Sequence, residues 1–93
     1  MLESTNLIGI FHQLSIARAN DQLIDAELEL ANDIEERIAL LQQRVELMTN
    51  LLKVVEEMAR AGEVTQASVL SAKADLLKAR INLERERDRR SVK

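Results

Sequence analysis

Residues 60–69 read RAGEVTQASV, and this stretch decides the fold because a helix stop is followed almost at once by a helix start. Gly62 can end one helix, since glycine readily takes the left-handed backbone conformation that closes a helix C-terminus. Thr65 can begin the next helix by accepting a hydrogen bond from an amide of its first turn. The sequence therefore predicts a helical hairpin. Its turn consists of Gly62, Glu63, Val64 and Thr65.

The chain before the turn carries a continuous apolar seam, with spacings that alternate between four and three residues as in a coiled coil. The seam consists of Ile34, Ile38, Leu41, Val45, Met48, Leu52, Val55 and Ala59. Other apolar residues lie beside it and widen the apolar face to about 160° of the helix circumference. One partner helix does not cover a face of that width, so we expect a second neighbour.

The chain after the turn carries two apolar stripes whose centres lie about 150° apart around the helix. The first stripe consists of Val69, Ala72, Leu76, Ala79 and Leu83, and the second of Leu70, Ala74, Leu77 and Ile81. A helix with two apolar stripes packs against neighbours on two sides. We therefore predict that the chain forms a homo-oligomer or binds a helical protein partner through its surplus stripes.

The two halves of the chain carry opposite charges, which favours an antiparallel hairpin. Residues 1–63 contain 12 acidic and 5 basic residues, a net charge of −7, whereas residues 64–93 contain 4 acidic and 8 basic residues, a net charge of +4. Acidic and basic side chains that flank facing seams attract each other across the hairpin. The predicted ion pairs are Glu46 with Arg80, and Glu35 or Glu36 with Arg89 or Arg90.

The favoured interpretation is an all-α, single helical hairpin domain over residues 1–93, a long antiparallel coiled coil that we expect to be oligomeric. It has one helix from about residue 5 to 61, the turn at 62–65 and a second helix from about 66 to 91. The first half of the long helix continues an apolar stripe that only Asp21 interrupts. This earlier stripe consists of Ile10, Leu14, Ala17, Ile24, Leu28 and Ala31.

The alternative interpretation is a three-helix bundle with a break near Asn32-Asp33. Asp33 can cap a new helix there, and Glu36 stands at the right spacing to complete a capping box. We favour the long helix because a reversal normally needs about two to eight loop residues, which Asn32-Asp33 barely supplies.

The run from Arg60 to Thr65, followed by the alternating Ala and Leu residues up to Leu83, resembles the hairpin-tip segment of TolC-type outer-membrane efflux channels. The resemblance covers roughly residues 45–90. It implies helices that pack side by side into a periplasmic tunnel, as part of an envelope transport assembly or related to one. Members of that family are several times longer and carry a signal peptide, so the resemblance implies an excised piece or a small relative.

Composition and motifs argue against a catalytic site, a metal site or a nucleic-acid interface. The chain has no cysteine, and its only histidine, His12, lacks the Glu-x-x-His pairing of a di-iron bundle. We find no glycine-rich phosphate loop or nucleophile motif, and no run long enough to span a membrane. The arginines near the C-terminus alternate with acidic residues and lack aromatic neighbours, which disfavours nucleic-acid binding. We expect no enzymatic activity, cofactor, metal or small-molecule substrate.

These observations predict a non-enzymatic structural or interaction protein related to the tunnel helices of efflux channels. The alternative function is a small cytoplasmic coiled-coil adaptor that binds a protein partner. If the chain is complete as given, the lack of a signal peptide predicts a cytoplasmic location. If it is a fragment of an efflux-type protein, we expect a periplasmic or outer-membrane-associated location.

Overall fold

A computed structural model describes the backbone of residues 2–91. It describes the side chains of residues 11–91. The described chain forms three helices, α1 (Leu2–Leu30), α2 (Ile34–Arg60) and α3 (Gln66–Ser91), and contains no strand. The all-α prediction is therefore confirmed for this part of the chain. None of these three helices combines the length and the apolar character needed to span a bilayer.

The turn between α2 and α3 is closed by local hydrogen bonds. Gly62 has a φ of +75°, which is costly for other residues, and no atom outside its own neighbours approaches the position of an added Cβ. The amide of Glu63 donates to the carbonyl of Met58 at 2.9 Å, and that of Gly62 to Ala59 at 3.0 Å. These two bonds form a Schellman motif. The Thr65 hydroxyl accepts from the third helical amide of α3 at 3.3 Å, as an N-cap does.

The favoured prediction of one continuous helix from about residue 5 to 61 is wrong, because the chain reverses at residues 31–33. Asp33 takes an extended backbone conformation and its carboxylate accepts from the amide of Glu35 at 3.0 Å, so the capping box expected with Glu36 does not form. The guanidinium of Arg37 donates to the Leu28 carbonyl at 3.0 Å, which satisfies a group left unpaired at the end of α1. Three residues therefore suffice for the reversal, and the break lies where the three-helix alternative placed it.

The apolar core lies mainly between α2 and α3, which run antiparallel. One buried cluster consists of Ile38, Leu41 and Leu83, and a second of Met48, Leu76 and Ala79. Leu28 of α1 packs against the first cluster, so all three helices meet near the break. Taken over the whole helix, α1 contacts α2 less extensively than α3 does, and the described backbones of α1 and α3 do not approach each other. The result is an elongated arrangement, 57 × 22 × 14 Å along its principal axes, with α2 in the middle.

Candidate protein-interaction surface

Arg44 joins α2 to α1. Its Nε donates to Asp21 Oδ1 at 2.9 Å and its Nη2 to the Asp21 carbonyl at 3.3 Å, while Nη2 also pairs with the Asp25 carboxylate. Burial alone would lower the pKa of Arg44, but the hydrogen bond to Asp25 and the two negative charges raise it above its ordinary value. The one polar residue in the α1 stripe, Asp21, is thus matched by a cation from α2.

Arg37 and Glu86 join the helices near the break. Arg37 Nε donates to Glu86 Oε1 at 2.7 Å while another nitrogen of the same guanidinium bonds to α1. Glu86 is only 4% exposed, and it also accepts from Arg89 at 3.1 Å. A buried carboxylate is tolerated because it has these charged donors.

One predicted ion pair across the hairpin is confirmed and another is wrong. Arg90 pairs with Glu35 at 3.2 Å. Glu46 and Arg80 are both exposed and do not pair, because facing residue numbers in α2 and α3 sum to about 124, whereas 46 and 80 sum to 126. The charges that do pair across α2 and α3, in the described chain, lie at the end far from the turn.

Leaving the alanines aside, the residues of the predicted α2 seam and of the two α3 stripes fall into three groups. Six are buried: Ile38, Leu41, Met48, Val69, Leu76 and Leu83. Four are half-buried: Ile34, Val45, Leu52 and Val55. Three are exposed: Leu70, Leu77 and Ile81. The turn residues lie together at the tip, where Gly62, Glu63 and Thr65 are exposed and Val64 is half-buried.

The exposed stripe of α3 has the spacing of a helix-packing seam. We call Leu70, Ala74, Leu77 and Ile81 the outer α3 face. Its large residues are 64%, 56% and 49% exposed in chain order, and its members recur at intervals of four, three and four. Basic residues flank it on both sides, and in the described chain none of them forms an ion pair. They are Lys73, Lys78, Arg80 and Arg85.

A similar stripe on α1 was missed by the sequence-based prediction. We call Ile16, Ala19, Leu23, Ala26 and Leu30 the outer α1 face; all five are exposed. Its spacing alternates between three and four, and Glu27 and Glu29 flank it, without an ion pair in residues 11–91. The signal was present in the sequence as a second heptad pattern beside the Asp21 stripe. Only the position of α2 shows which of the two patterns on α1 is covered.

Open grooves lie beside α1 where it diverges from α2. One, of about 440 Å³, is lined by residues of all three helices, with Met48, Leu51, Val55 and Met58 among them. Another, of about 290 Å³, lies between α1 and α2 around Ala17 and Leu51. Across the described residues, no group of three or more His, Asp or Glu side chains could hold a metal ion. His12 is exposed on α1. The distinctive surface features are therefore the two outer faces.

Comparisons of the sequence with models of protein families and with characterised proteins, and of the fold with solved structures, found no match. The resemblance to efflux-channel helices stays a prediction that rests on the turn and on the residue pattern of α3. The features that indicate a function are the two outer faces.

Proposed function

We propose that this protein is a non-enzymatic interaction protein that binds an amphipathic helix along the outer α3 face. The observation that carries the proposal is an exposed heptad stripe flanked on both sides by basic residues that form no ion pair within the described part of the chain. The opposite side of α3 already packs against α2 through Leu76, Ala79 and Leu83. The outer stripe therefore has no intramolecular role in the core, although its spacing is that of a packing surface.

The partner that fits this face is a helix with its own apolar stripe and acidic flanks. Basic side chains on both edges attract a helix flanked by Asp and Glu and repel one flanked by Lys and Arg. Such charges contribute mainly to orientation and to the rate of association.

The apolar area sets a limit on the affinity of one such contact. Full burial of a leucine or isoleucine contributes about 1.5–3 kcal/mol, and these side chains are already about half covered by their own helix. Covering the remainder gains about 1 kcal/mol for each, against an association cost of about 4 kcal/mol or more. We therefore expect weak binding by a single contact and stronger binding where contacts repeat.

The test uses a synthetic probe helix of three heptads, with leucine at both seam positions and glutamate at both flanking positions. Its binding to the purified chain is measured by fluorescence anisotropy. We expect Leu77→Asp to weaken binding about tenfold or more, because it places a charge in the contact. The matched control is Leu23→Asp on α1, since Leu23 and Leu77 are 58% and 56% exposed. Equal binding by both variants, or preference for a lysine-flanked probe, would contradict the proposal.

The relationship to efflux-channel tunnel helices is the more specific form of this proposal. It is supported by the closed turn at Gly62 and by the two-sided α3, features that a helix packed between neighbours requires. Its test is cellular: the full-length gene product is fractionated, and recovery with the envelope supports a transport role. Recovery in the cytoplasm favours the adaptor alternative.

A further inference from the structure

We propose that the occupant of the outer α3 face is the outer α1 face of a second copy of this chain. The inference rests on the proposed function, because it names the partner of the same surface. Both faces are exposed heptad stripes, but their flanks differ: α3 has four basic flanking residues, and α1 has two acidic ones. Two α3 faces would repel each other, whereas α1 against α3 brings opposite charges together.

The register of the chain fixes how two copies align. Asp21 pairs with Arg44, and the Leu28 carbonyl with Arg37; both sets of residue numbers sum to 65. Between α2 and α3, Arg37 with Glu86 sums to 123 and Glu35 with Arg90 to 125. The mean for α2 and α3 is 124, and 124 minus 65 is 59. A residue of α1 therefore lies level with the residue of α3 numbered about 59 higher.

Side-by-side copies at the same height then bring the members of the two outer faces level with each other. Because α1 and α3 both run opposite to α2, they are parallel to each other across the contact. Ile16 lies level with residue 75, next to Ala74 of the second copy, and Ala19 lies level with residue 78, next to Leu77. Further along, Leu23 lies level with residue 82, next to Ile81. The two heptad patterns are thus in phase to within one residue, or about 1.5 Å.

The flanking charges agree with the same register. In a parallel coiled coil, each e position, which directly follows a d seam position, lies beside a g position of the partner helix. That g position comes five residues before the partner's own equivalent e position. When the two heptad patterns are brought fully into phase, each α1 residue matches the α3 residue numbered 58 higher, one less than the 59 obtained from the contacts within the chain. Glu27 is then level with Arg85 and lies beside Arg80 of the second copy. The other flanking bases, Lys73, Lys78 and Arg85, meet Asn20, Ser15 and Gln22, so no like charges face each other.

A contact between two different faces is heterologous, so each copy uses one face and leaves the other free. Repetition closes into a ring if the rotation between copies allows it and otherwise extends into a filament. This supplies the repeated contacts that the weak single contact needs.

Mixing two variants tests the assignment. Leu23→Asp blocks the outer α1 face and Leu77→Asp blocks the outer α3 face; both positions are exposed, so the fold is retained and is checked by circular dichroism. By light scattering we expect the unmodified chain to exceed its monomer mass of 10.5 kDa, and each variant alone to be monomeric. The mixture should form a 1:1 dimer that cannot grow, because only one intact pair of faces remains.

The other outcomes separate the two proposals. If Leu77→Asp is monomeric but Leu23→Asp stays assembled, α3 faces pair with each other, and only the assignment of α1 is overturned. If the unmodified chain is monomeric at all concentrations, the second copy is excluded, and the probe helix decides the proposed function separately. If both variants remain assembled, the copies associate through another surface and the contact between the outer faces is overturned, while the probe helix again decides the proposed function.

Charge reversal tests the register. Glu27→Arg and Arg80→Glu should each weaken assembly by about threefold, as expected for an exposed ion pair. The double variant should assemble as well as the unmodified chain, since the pair is restored with its signs exchanged. Failure of the double variant to recover would contradict the alignment of Glu27 with Arg80.

Discussion

The two helix reversals of this protein use different physical means. The turn between α2 and α3 is closed by a glycine in the left-handed region, two backbone bonds and a threonine cap, and it leads into two apolar clusters. The reversal between α1 and α2 has the Asp33 cap and a long backbone hydrogen bond from Ala31 to Leu28, and it is held by arginines that reach across and by the packing of Leu28. The first reversal is specified locally and then packed, whereas the second depends more on contacts between residues distant in the sequence. We expect the α2–α3 hairpin to be the more stable part.

Truncating a core side chain should lower the free energy of unfolding more than removing an ion pair, a helix cap or a glycine. Leu76→Ala, in the cluster with Met48 and Ala79, should lower the free energy of unfolding by about 2–4 kcal/mol, because it removes buried contacts and leaves a cavity. Chemical denaturation below the self-association concentration measures the loss. The neighbouring Leu77→Ala is the control, since Leu77 is exposed and should cost little. Similar losses at the two positions would contradict the inside and outside assignment of α3.

Removing the ion pair between Arg44 and Asp21 should have the next largest effect on stability, and the loss should be confined to α1. Arg44→Met leaves Asp21 without its cation, at a cost of about 1–3 kcal/mol. Amide hydrogen exchange should speed up in α1 while α3 stays protected. Arg18→Met is the control, because Arg18 is an exposed arginine with no ion pair in the described chain. Equal acceleration in α1 and α3 would mean that the three helices unfold as one unit.

Weakening the cap should shift the second reversal toward a continuous helix. Asp33→Ala should cost about 0.5–2 kcal/mol, because the amide of Glu35 loses its acceptor. A continuous helix over residues 2–60 would be about 90 Å long, compared with 57 Å for the folded chain, so small-angle scattering detects any opened fraction. Asn32→Ala is the control, because no side-chain hydrogen bond involves Asn32 among the side chains that the structure describes. An unchanged maximum dimension and stability for Asp33→Ala would show that the arginines alone hold the reversal.

Replacing either glycine with alanine should change the free energy of unfolding least, and with opposite sign at the two positions. Gly62→Ala should lower the free energy of unfolding by about 1 kcal/mol, because an alanine is strained at a φ of +75° although space is free. Gly9→Ala lies inside α1, where alanine favours the helix by about 0.5–1 kcal/mol and nothing obstructs the added carbon. Thermal unfolding should therefore shift in opposite directions. A shift in the same direction would mean that Gly62 is not the conformational stop of α2.

The sequence alone predicts the helical class, the turn at Gly62 and Thr65, the α2–α3 pairing and the pair of stripes on α3. Each of these depends on interactions within a few residues or on a period that repeats along one helix. Capping preferences and heptad spacing are therefore enough to predict them. The ion pair of Arg90 with Glu35 could be predicted because the turn fixes which residues of the two helices face each other.

Three features depend on contacts between helices: the break at residues 31–33, the bridges of Arg44 and Arg37, and the side of α1 that stays exposed. A continuous helix and a reversal make similar local contacts near Asn32 and Asp33, so small long-range terms choose between them. Those terms include the contacts of Arg44 with Asp21 and Asp25, and of Arg37 with Leu28 and Glu86. The burial of Ile24 and the packing of Leu28 add to them. The two arginines and their partners are 9 to 49 residues apart in the sequence, and local propensity cannot bring them together.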